Sequence, residues 1–445
     1  MTPIDTLINA RWIVPVEPHG VVLEHHALAV TGGRIVDLLP SAEAGARYTA
    51  AESVELPDHA VIPGLVNAHT HAAMTLLRGV ADDLPLMEWL RDHIWPLEAR
   101  WVGESFVRDG SELAIAEMLR GGTTCFNDMY FFPEITARVA LRAGIRAVVG
   151  MILVDFPTAW AADPDQYLAK GLALRDELRH QSLVQTAFAP HAPYSVSDAP
   201  LARMRILAQE LDRPIHMHVH ETETEIDQGH DSHGMRPLQR LRQLDLLGPN
   251  LVAVHMTHLL TEEIAELAQA GIHVVHCPES NLKLASGFCP VAALLQAGVN
   301  VALGTDGAAS NNDLDMFGEM RTAALLAKAV ARHAGALPAA TALRMATLNG
   351  AKALGLEEQI GSLTIGKSAD LAAIDLADLE TLPMYDPISD IVYAAGRHQV
   401  SDVWIGGRRL LARRELTTLD AAEIRAKARA WRQRLAGTPA QPGVH

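Results

Sequence analysis

The chain has 445 residues, 49% hydrophobic and 20% charged, which supplies apolar material for a large core and excludes a disordered chain. Its formal net charge is −16 and it carries no lysine or arginine block, so nucleic acid and anionic membrane are poor partners, while small neutral or cationic ligands remain open. Cys125, Cys277 and Cys289 form no C-x-x-C pair, the first residues do not read as a signal segment, and no apolar run reaches the roughly 18 residues of a membrane span. A soluble cytoplasmic protein is the expectation.

In chain order, residues 1 to about 60 predict short β segments at 6–8, 12–14, 27–30, 34–38 and 53–56, with a Gly32-Gly33 hairpin turn between two of them. From residue 61 short Val/Ile/Ala-rich runs alternate with helix-length amphipathic segments, the pattern of parallel strands joined by crossover helices. Eight strands are predicted, at 61–67, 123–128, 145–152, 183–190, 214–220, 251–255, 271–277 and 299–305. Helices are predicted between them, among others at 104–120, 134–143, 200–211 and 262–270. This is the pattern of an α/β protein with a (β/α)8 TIM barrel. A doubly wound open sheet is the alternative, but no G-x-G-x-x-G follows the first strand.

Beyond the barrel the pattern predicts a helix at 338–354, β segments at 371–374 and 403–405, a Gly406-Gly407 turn, a charged helix at 421–435 and a frayed Pro/Gly tail. The two β-rich ends are expected to combine into one small β-sandwich. The chain is therefore divided into 1–60 and 361–445, contributing the sandwich and a terminal helix, and the barrel at 61–360.

Barrel enzymes carry their chemistry at the C-terminal ends of the strands. The predicted strands end in His69 and His71, in His191, in His216, His218, His220 and Glu221, in His255 and His258, in His276, and in Asp306. Several histidines plus one aspartate around a barrel mouth match the nitrogen and oxygen ligands of zinc. In H-x-H the two side chains share one strand face, so His69 and His71 can aim at one point. The same periodicity puts His216, His218 and His220 on a common face and does not choose among them. It leaves His258 and His276 without a role. Between His71 and His218 the only lysine is Lys170, on a predicted helix, so no strand lysine is present to bridge a second metal.

P-G-L-V-N-A-H-T-H at 63–71, H-M-H-V-H-E-T at 216–222, V-H-M-T-H at 254–258, H-C-P-E-S-N-L-K-L at 276–284 and L-G-T-D-G-A-A-S-N-N at 303–312 resemble the amidohydrolase superfamily. Within it they are most similar to the 5'-methylthioadenosine/S-adenosylhomocysteine deaminases, over about residues 62–361. The resemblance implies a metal-dependent hydrolase fold with His69, His71, His218 and Asp306 as ligands of one zinc per subunit, a site that could also take iron or manganese. It implies Glu221 as the acid for proton transfer and His255 as the group that holds the attacking water and the developing charge. It further implies His191 and Ser310 in the purine pocket, and Trp89 and Glu98 in a segment covering the nucleoside, Glu98 reaching the ribose hydroxyls. A homodimer or higher homo-oligomer is implied as well. Without the resemblance, Trp89 reads as core or interface and Glu98 as a solvated helix charge.

These residue types suit hydrolytic deamination. Zinc with three or four protein ligands and an open position lowers the pKa of bound water to about 7. Attack at C6 of an adenine ring needs a ring able to accept electrons, which a protonated Glu221 at ring N1 provides, and Asp306 can relay a proton to the departing amine. Relatives that favour S-adenosylhomocysteine hold its carboxylate with arginines after strand three. Here that stretch reads M-I-L-V-D-F-P-T at 151–158, without arginine and with Asp155, so 5'-methylthioadenosine is expected, its thioether suiting Phe156. The alternatives are a related hydrolase of free bases or triazines, of guanine or cytosine deaminase or chlorohydrolase type, and a metal-binding barrel without catalysis. The last would be marked by loss of Glu221, His255 or Asp306, and all three are present.

Overall fold

The computed structural model describes residues 1–436. The tail expected to fray falls at 437–445, outside the described residues. Eight parallel strands pair side by side in chain order: Leu65–Thr70, Thr123–Asp128, Arg146–Leu153, Val184–Pro190, Ile215–Val219, Leu251–His255, His273–His276 and Asn300–Leu303. They are numbered one to eight below. Nearly every residue in them is buried, as a parallel sheet covered on both faces requires. The helices Glu104–Arg120, Pro133–Ala143, Asp198–Glu210 and Thr261–Ala270 lie where the apolar periodicity puts them. The (β/α)8 barrel is therefore the fold, nearly closed on itself.

Strand one begins later than expected. The predicted strand at 61–67 is two strands: Tyr48–Pro63 belongs to a second sheet and Leu65–Thr70 to the barrel. The apolar run is continuous through the junction, so pattern alone could not divide it. Gly64 divides it, because a Cβ there would sit 2.1 Å from the Thr124 side chain on strand two. The helix predicted at 338–354 is likewise two, Ala339–Met345 and Leu348–Ala353. Between them Thr347 leaves helical geometry, and its hydroxyl donates to the Leu343 carbonyl at 2.7 Å.

The second sheet takes strands from both ends of the chain. The segments expected at 6–8 and 12–14 fuse into Thr2–Ile13, which lies between Leu23–Thr31 and Tyr48–Pro63, and the sheet runs on through Leu371–Asp375, Val400–Ile405 and Arg408–Ala412. It forms one sheet that folds over, packing Trp404 near one end with Ile8 and Leu28. The Gly32-Gly33 and Gly406-Gly407 turns meet there: all four glycines have positive φ, and a Cβ on Gly33 would lie 2.5 Å from the Gly406 carbonyl oxygen. A buried ion pair, Arg146 Nε to Asp370 Oδ2 at 3.0 Å, ties this sheet to the base of strand three. Among the described residues no helix is long and apolar enough to cross a membrane.

Barrel closure places the site. Strands eight and one share no ladder, and the Asn67 side chain fills the gap. It donates to Thr305 Oγ1 at 2.7 Å and accepts from Thr305 N–H at 3.0 Å. Directly after, Asp306 N–H donates to the His69 carbonyl at 3.0 Å, bringing the carboxylate of the eighth strand end beside the histidines of the first.

Candidate metal centre

His69, His71, His218 and Asp306 converge, their ligand atoms all within 4.8 Å of one another. Asp306 Oδ1 stands 3.1 Å from His69 Nε2 and 3.2 Å from His71 Nε2, and His218 Nε2 lies 3.2 Å from His69 Nε2. Each imidazole is held by its other nitrogen: His69 Nδ1 by His216 Nε2 at 2.8 Å, His71 Nδ1 by the Met129 carbonyl at 2.5 Å, His218 Nδ1 by the His191 carbonyl at 2.7 Å. Three Nε2 atoms and one carboxylate oxygen thus face one point, each ring held from behind through its Nδ1. That is the donor set and outer-shell pattern of a zinc site.

The electrostatics fit a cation. Burial pulls His69 down to about 4 and His218 well below its ordinary value, so both imidazoles are neutral. Burial alone would lower His71 and raise Asp306. The bond between them reverses both, lifting His71 to about 9 and holding Asp306 well below the usual carboxylate range. A metal bound there would compete with the proton that His71 holds against Asp306.

Of the three strand-five histidines left open by periodicity, His218 faces the centre, His216 supports His69 from beneath, and His220 turns away to accept from Leu238 N–H at 3.1 Å. His258 donates from Nε2 to the Ser286 carbonyl at 2.7 Å, and His276 is buried with Nδ1 unpartnered among the described residues. Lys170 lies on the helix Pro164–Leu178 and reaches the Trp160 carbonyl, away from the centre.

A cavity of about 1260 Å³ opens over this centre. His71, His218 and Asp306 line it, as do Glu221, His255, Trp89, Glu98, His191 and Ser310. Glu221 Oε2 is 3.8 Å from His255 Nε2, and burial raises Glu221 toward its protonated form. His220, His255 and Asp306 all have positive φ, strain that collects at the strand ends where side chains must be re-aimed. Glu98 is on the helix Trp95–Trp101 and accepts from the Tyr130 hydroxyl at 2.6 Å, so it is not a solvated helix charge. Trp89 is buried in a π-helical turn, Trp89–Ile94, on the cavity wall. His191 Nδ1 meets Ser195 Oγ at 3.0 Å. Ser310 donates to Asp306 Oδ2 at 2.7 Å, so its hydroxyl is turned to the carboxylate as well as lining the cavity.

Sequence reasoning missed several supports. Ser280 gives Asp306 Oδ2 a second bond at 2.7 Å, and Asn281 meets His255 Nδ1 at 2.9 Å. Glu225 takes the backbone N–H of His220 and of Glu221 on its two oxygens, at 2.9 and 2.7 Å. The signal for Glu225 was a further acid four residues after Glu221; for Ser280 and Asn281 it was the adjacent hydrogen-bonding pair inside the motif that follows strand seven.

Residues 60–410 match the Amidohydrolase family. The chain is 54% identical, over 98% of itself and of the relative, to a 5-methylthioadenosine/S-adenosylhomocysteine deaminase of Teredinibacter turnerae. It superposes with a TM-score of 0.97 on the crystal structure of an adenosine deaminase from Xanthomonas campestris with bound zinc, at 58% identity, covering 98% of this chain and 100% of that one. An atrazine chlorohydrolase from Arthrobacter aurescens in complex with zinc superposes with a TM-score of 0.89 at 23% identity, over 96% of this chain and 99% of that one, a likeness of fold.

Proposed function

The chain belongs to the amidohydrolase family, in its 5'-methylthioadenosine/S-adenosylhomocysteine deaminase branch, and on that premise we propose that it hydrolytically deaminates 5'-methylthioadenosine to the inosine analogue and ammonia. It is a metal-dependent hydrolase of the deaminase type. One zinc ion per subunit would be held by His69, His71, His218 and Asp306. When bound there, zinc supplies a water activated at neutral pH and charge stabilisation for the oxygen that forms at C6.

The protein's own groups carry the proton traffic. Glu221, kept toward its protonated form by burial, gives its hydrogen to ring N1 and makes C6 electrophilic. His255, facing Glu221 across 3.8 Å, holds the attacking water and then stabilises the developing charge. Asp306 relays a proton to the departing amine. On the wall of the same cavity Glu98 receives the ribose hydroxyls with Tyr130 as its hydrogen-bond partner, and Trp89 covers the nucleoside. His191 and Ser310 border the purine.

Asp155 and Phe156, in the stretch after strand three where the resemblance leads one to expect a carboxylate-binding arginine, line the cavity. Among the described residues Arg240 is the only arginine lining the cavity, and its guanidinium is committed to Asp198 at 2.6 Å and to the Val196 carbonyl at 2.9 Å. Among the described residues an amino-acid carboxylate therefore finds no uncommitted arginine and no lysine on the cavity lining, and meets Asp155. This favours the methylthio substituent over the homocysteine one.

The observation that carries the reading is the presence of Glu98, an acid suited to ribose, on the wall of the cavity whose floor holds the metal ligands and Glu221. The test is ammonia release by the zinc-loaded protein from 5'-methylthioadenosine, S-adenosylhomocysteine, adenosine, guanine and cytosine at equal concentration, with a chelated control. Chelator-sensitive release, highest with 5'-methylthioadenosine, supports the proposal. Preference for S-adenosylhomocysteine discards the reading of Asp155, and release only from a free base discards that of Glu98.

A further inference from the structure

The motif H-C-P-E-S-N-L-K-L follows strand seven, yet none of its side chains is a metal ligand or a member of the proton-transfer set above. The structure shows where its polar pair goes. Ser280 and Asn281 are adjacent on the short helix Pro278–Lys283 and almost completely buried. Consecutive helical residues diverge by about 100°, so the two side chains leave the helix toward different targets. Ser280 Oγ donates to Asp306 Oδ2 at 2.7 Å, and Asn281 Oδ1 lies 2.9 Å from His255 Nδ1.

We infer that Ser280 and Asn281 are a positioning pair: Ser280 sets which oxygen of Asp306 faces the metal centre, and Asn281 holds His255 with its hydrogen on Nδ1. For Asp306, donors from Ser280 and Ser310 both converge on Oδ2, so Oδ1 is the oxygen left for His69 and His71. For His255, a carbonyl oxygen opposite Nδ1 requires a hydrogen there, because an oxygen cannot donate. Nε2 is then a lone pair directed at the cavity beside Glu221. In this state His255 accepts a hydrogen bond from water, and it becomes a donor only after taking a proton on Nε2.

The helix is itself well anchored. Asn281 N–H donates to the Cys277 carbonyl at 3.0 Å, Ser286 N–H to the Asn281 carbonyl at 2.9 Å, and Lys283 Nζ to Asp82 at 2.7 Å. One rigid turn thereby controls two groups of the reaction that come from different strand ends. His255 needs such a partner, since its backbone at φ +78° sits outside the strand geometry that would otherwise fix the direction of its side chain.

The inference takes the roles of Asp306 and His255 from the deaminase reading, and its test separates the two. The zinc-loaded full-length protein is compared with Asn281→Ala, Asn281→Asp, Ser280→Ala and, as a control on the exposed side of the same helix, Leu282→Ala. Three quantities are read: kcat and KM for ammonia release, zinc retained per chain, and the tautomer of His255 from ¹⁵N–¹H correlation spectra. Expected are an Nδ1–H tautomer in the parent protein and a mixture in Asn281→Ala. The Asn281→Ala kcat should fall about 100-fold with KM within about threefold, as outer-shell losses do elsewhere. Asn281→Asp keeps the acceptor and should recover to within about tenfold of the parent. Ser280→Ala should retain zinc about tenfold more weakly, and Leu282→Ala should match the parent. An Nε2–H tautomer in the parent protein, or an unchanged tautomer in Asn281→Ala, overturns the assignment of Asn281. Unchanged zinc retention in Ser280→Ala overturns that of Ser280. Should the parent release no ammonia from any nucleoside, the deaminase reading fails, while the spectra and the zinc measurement still decide this one.

Discussion

His216 Nε2 lies 2.8 Å from His69 Nδ1, so an imidazole of strand five decides which nitrogen an imidazole of strand one turns to the metal centre. Replacing it with a ring that cannot accept tests this. His216→Phe should weaken zinc binding about 10- to 100-fold, measured by competition with a chromophoric chelator. An affinity equal to the parent's would mean that packing alone orients His69.

Glu225 links pH to stability. Burial pushes its carboxyl up to about 8, against the pull of the two backbone N–H groups it accepts. The folded chain therefore holds a proton that the unfolded chain releases near 4.5. The stabilisation is complete below that lower value and is lost as pH rises toward the upper one. At most this contributes a slope of about 1.4 kcal/mol per pH unit. Denaturant unfolding of the parent and of Glu225→Gln between the two values should show the parent losing stability with rising pH and the variant losing less. Equal slopes would mean that Glu225 is ionised in the folded chain.

Much of the barrel was legible because buried parallel strands read as short apolar runs, and strands two and six fall at the residues expected, Thr123–Asp128 and Leu251–His255. The junction at Gly64 was not legible, because what ends one strand there is the approach of Thr124 from another. The same division holds at the site. The residues at the strand ends could be found from the sequence, since each interrupts an apolar run with a titratable group. The choice of His218 over His216 could not be made by periodicity, which places both on one face, and the bonds from Asn67 to Thr305 and from Ser280 to Asp306 join segments more than twenty residues apart.

Glu221 has a consequence independent of metal loading. Its side chain is not among the atoms that converge on the centre, so Glu221→Gln should keep the parent's zinc content while reducing turnover at least about 100-fold. Metal analysis alongside steady-state ammonia release decides it. Nearly full turnover in the variant would remove Glu221 from the proton path. In the parent, turnover should fall as pH rises through the elevated Glu221 value, since the protonated form is the one that can donate to ring N1.

Glu98, in the proposed role, is expected to distinguish a nucleoside from a free base. Its Oε1 accepts from the Tyr130 hydroxyl at 2.6 Å, which fixes one oxygen and leaves the other for ligand hydroxyls within the cavity. Burial raises the Glu98 carboxyl, and the Tyr130 bond opposes that rise, keeping the acceptor form available. A charge-assisted bond to a ribose hydroxyl contributes about 1.5–3 kcal/mol, equivalent to roughly 10- to 150-fold in affinity. Glu98→Ala should therefore weaken binding of 5'-methylthioadenosine by a factor in that range and leave binding of adenine almost unchanged, as measured calorimetrically on the zinc-loaded protein. Tyr130→Phe should show a smaller effect in the same direction, because it frees the carboxylate to turn without removing it. If both ligands lost affinity equally, Glu98 would be supporting the cavity wall, and the case for a ribose-bearing substrate would pass to Trp89 and the covering segment.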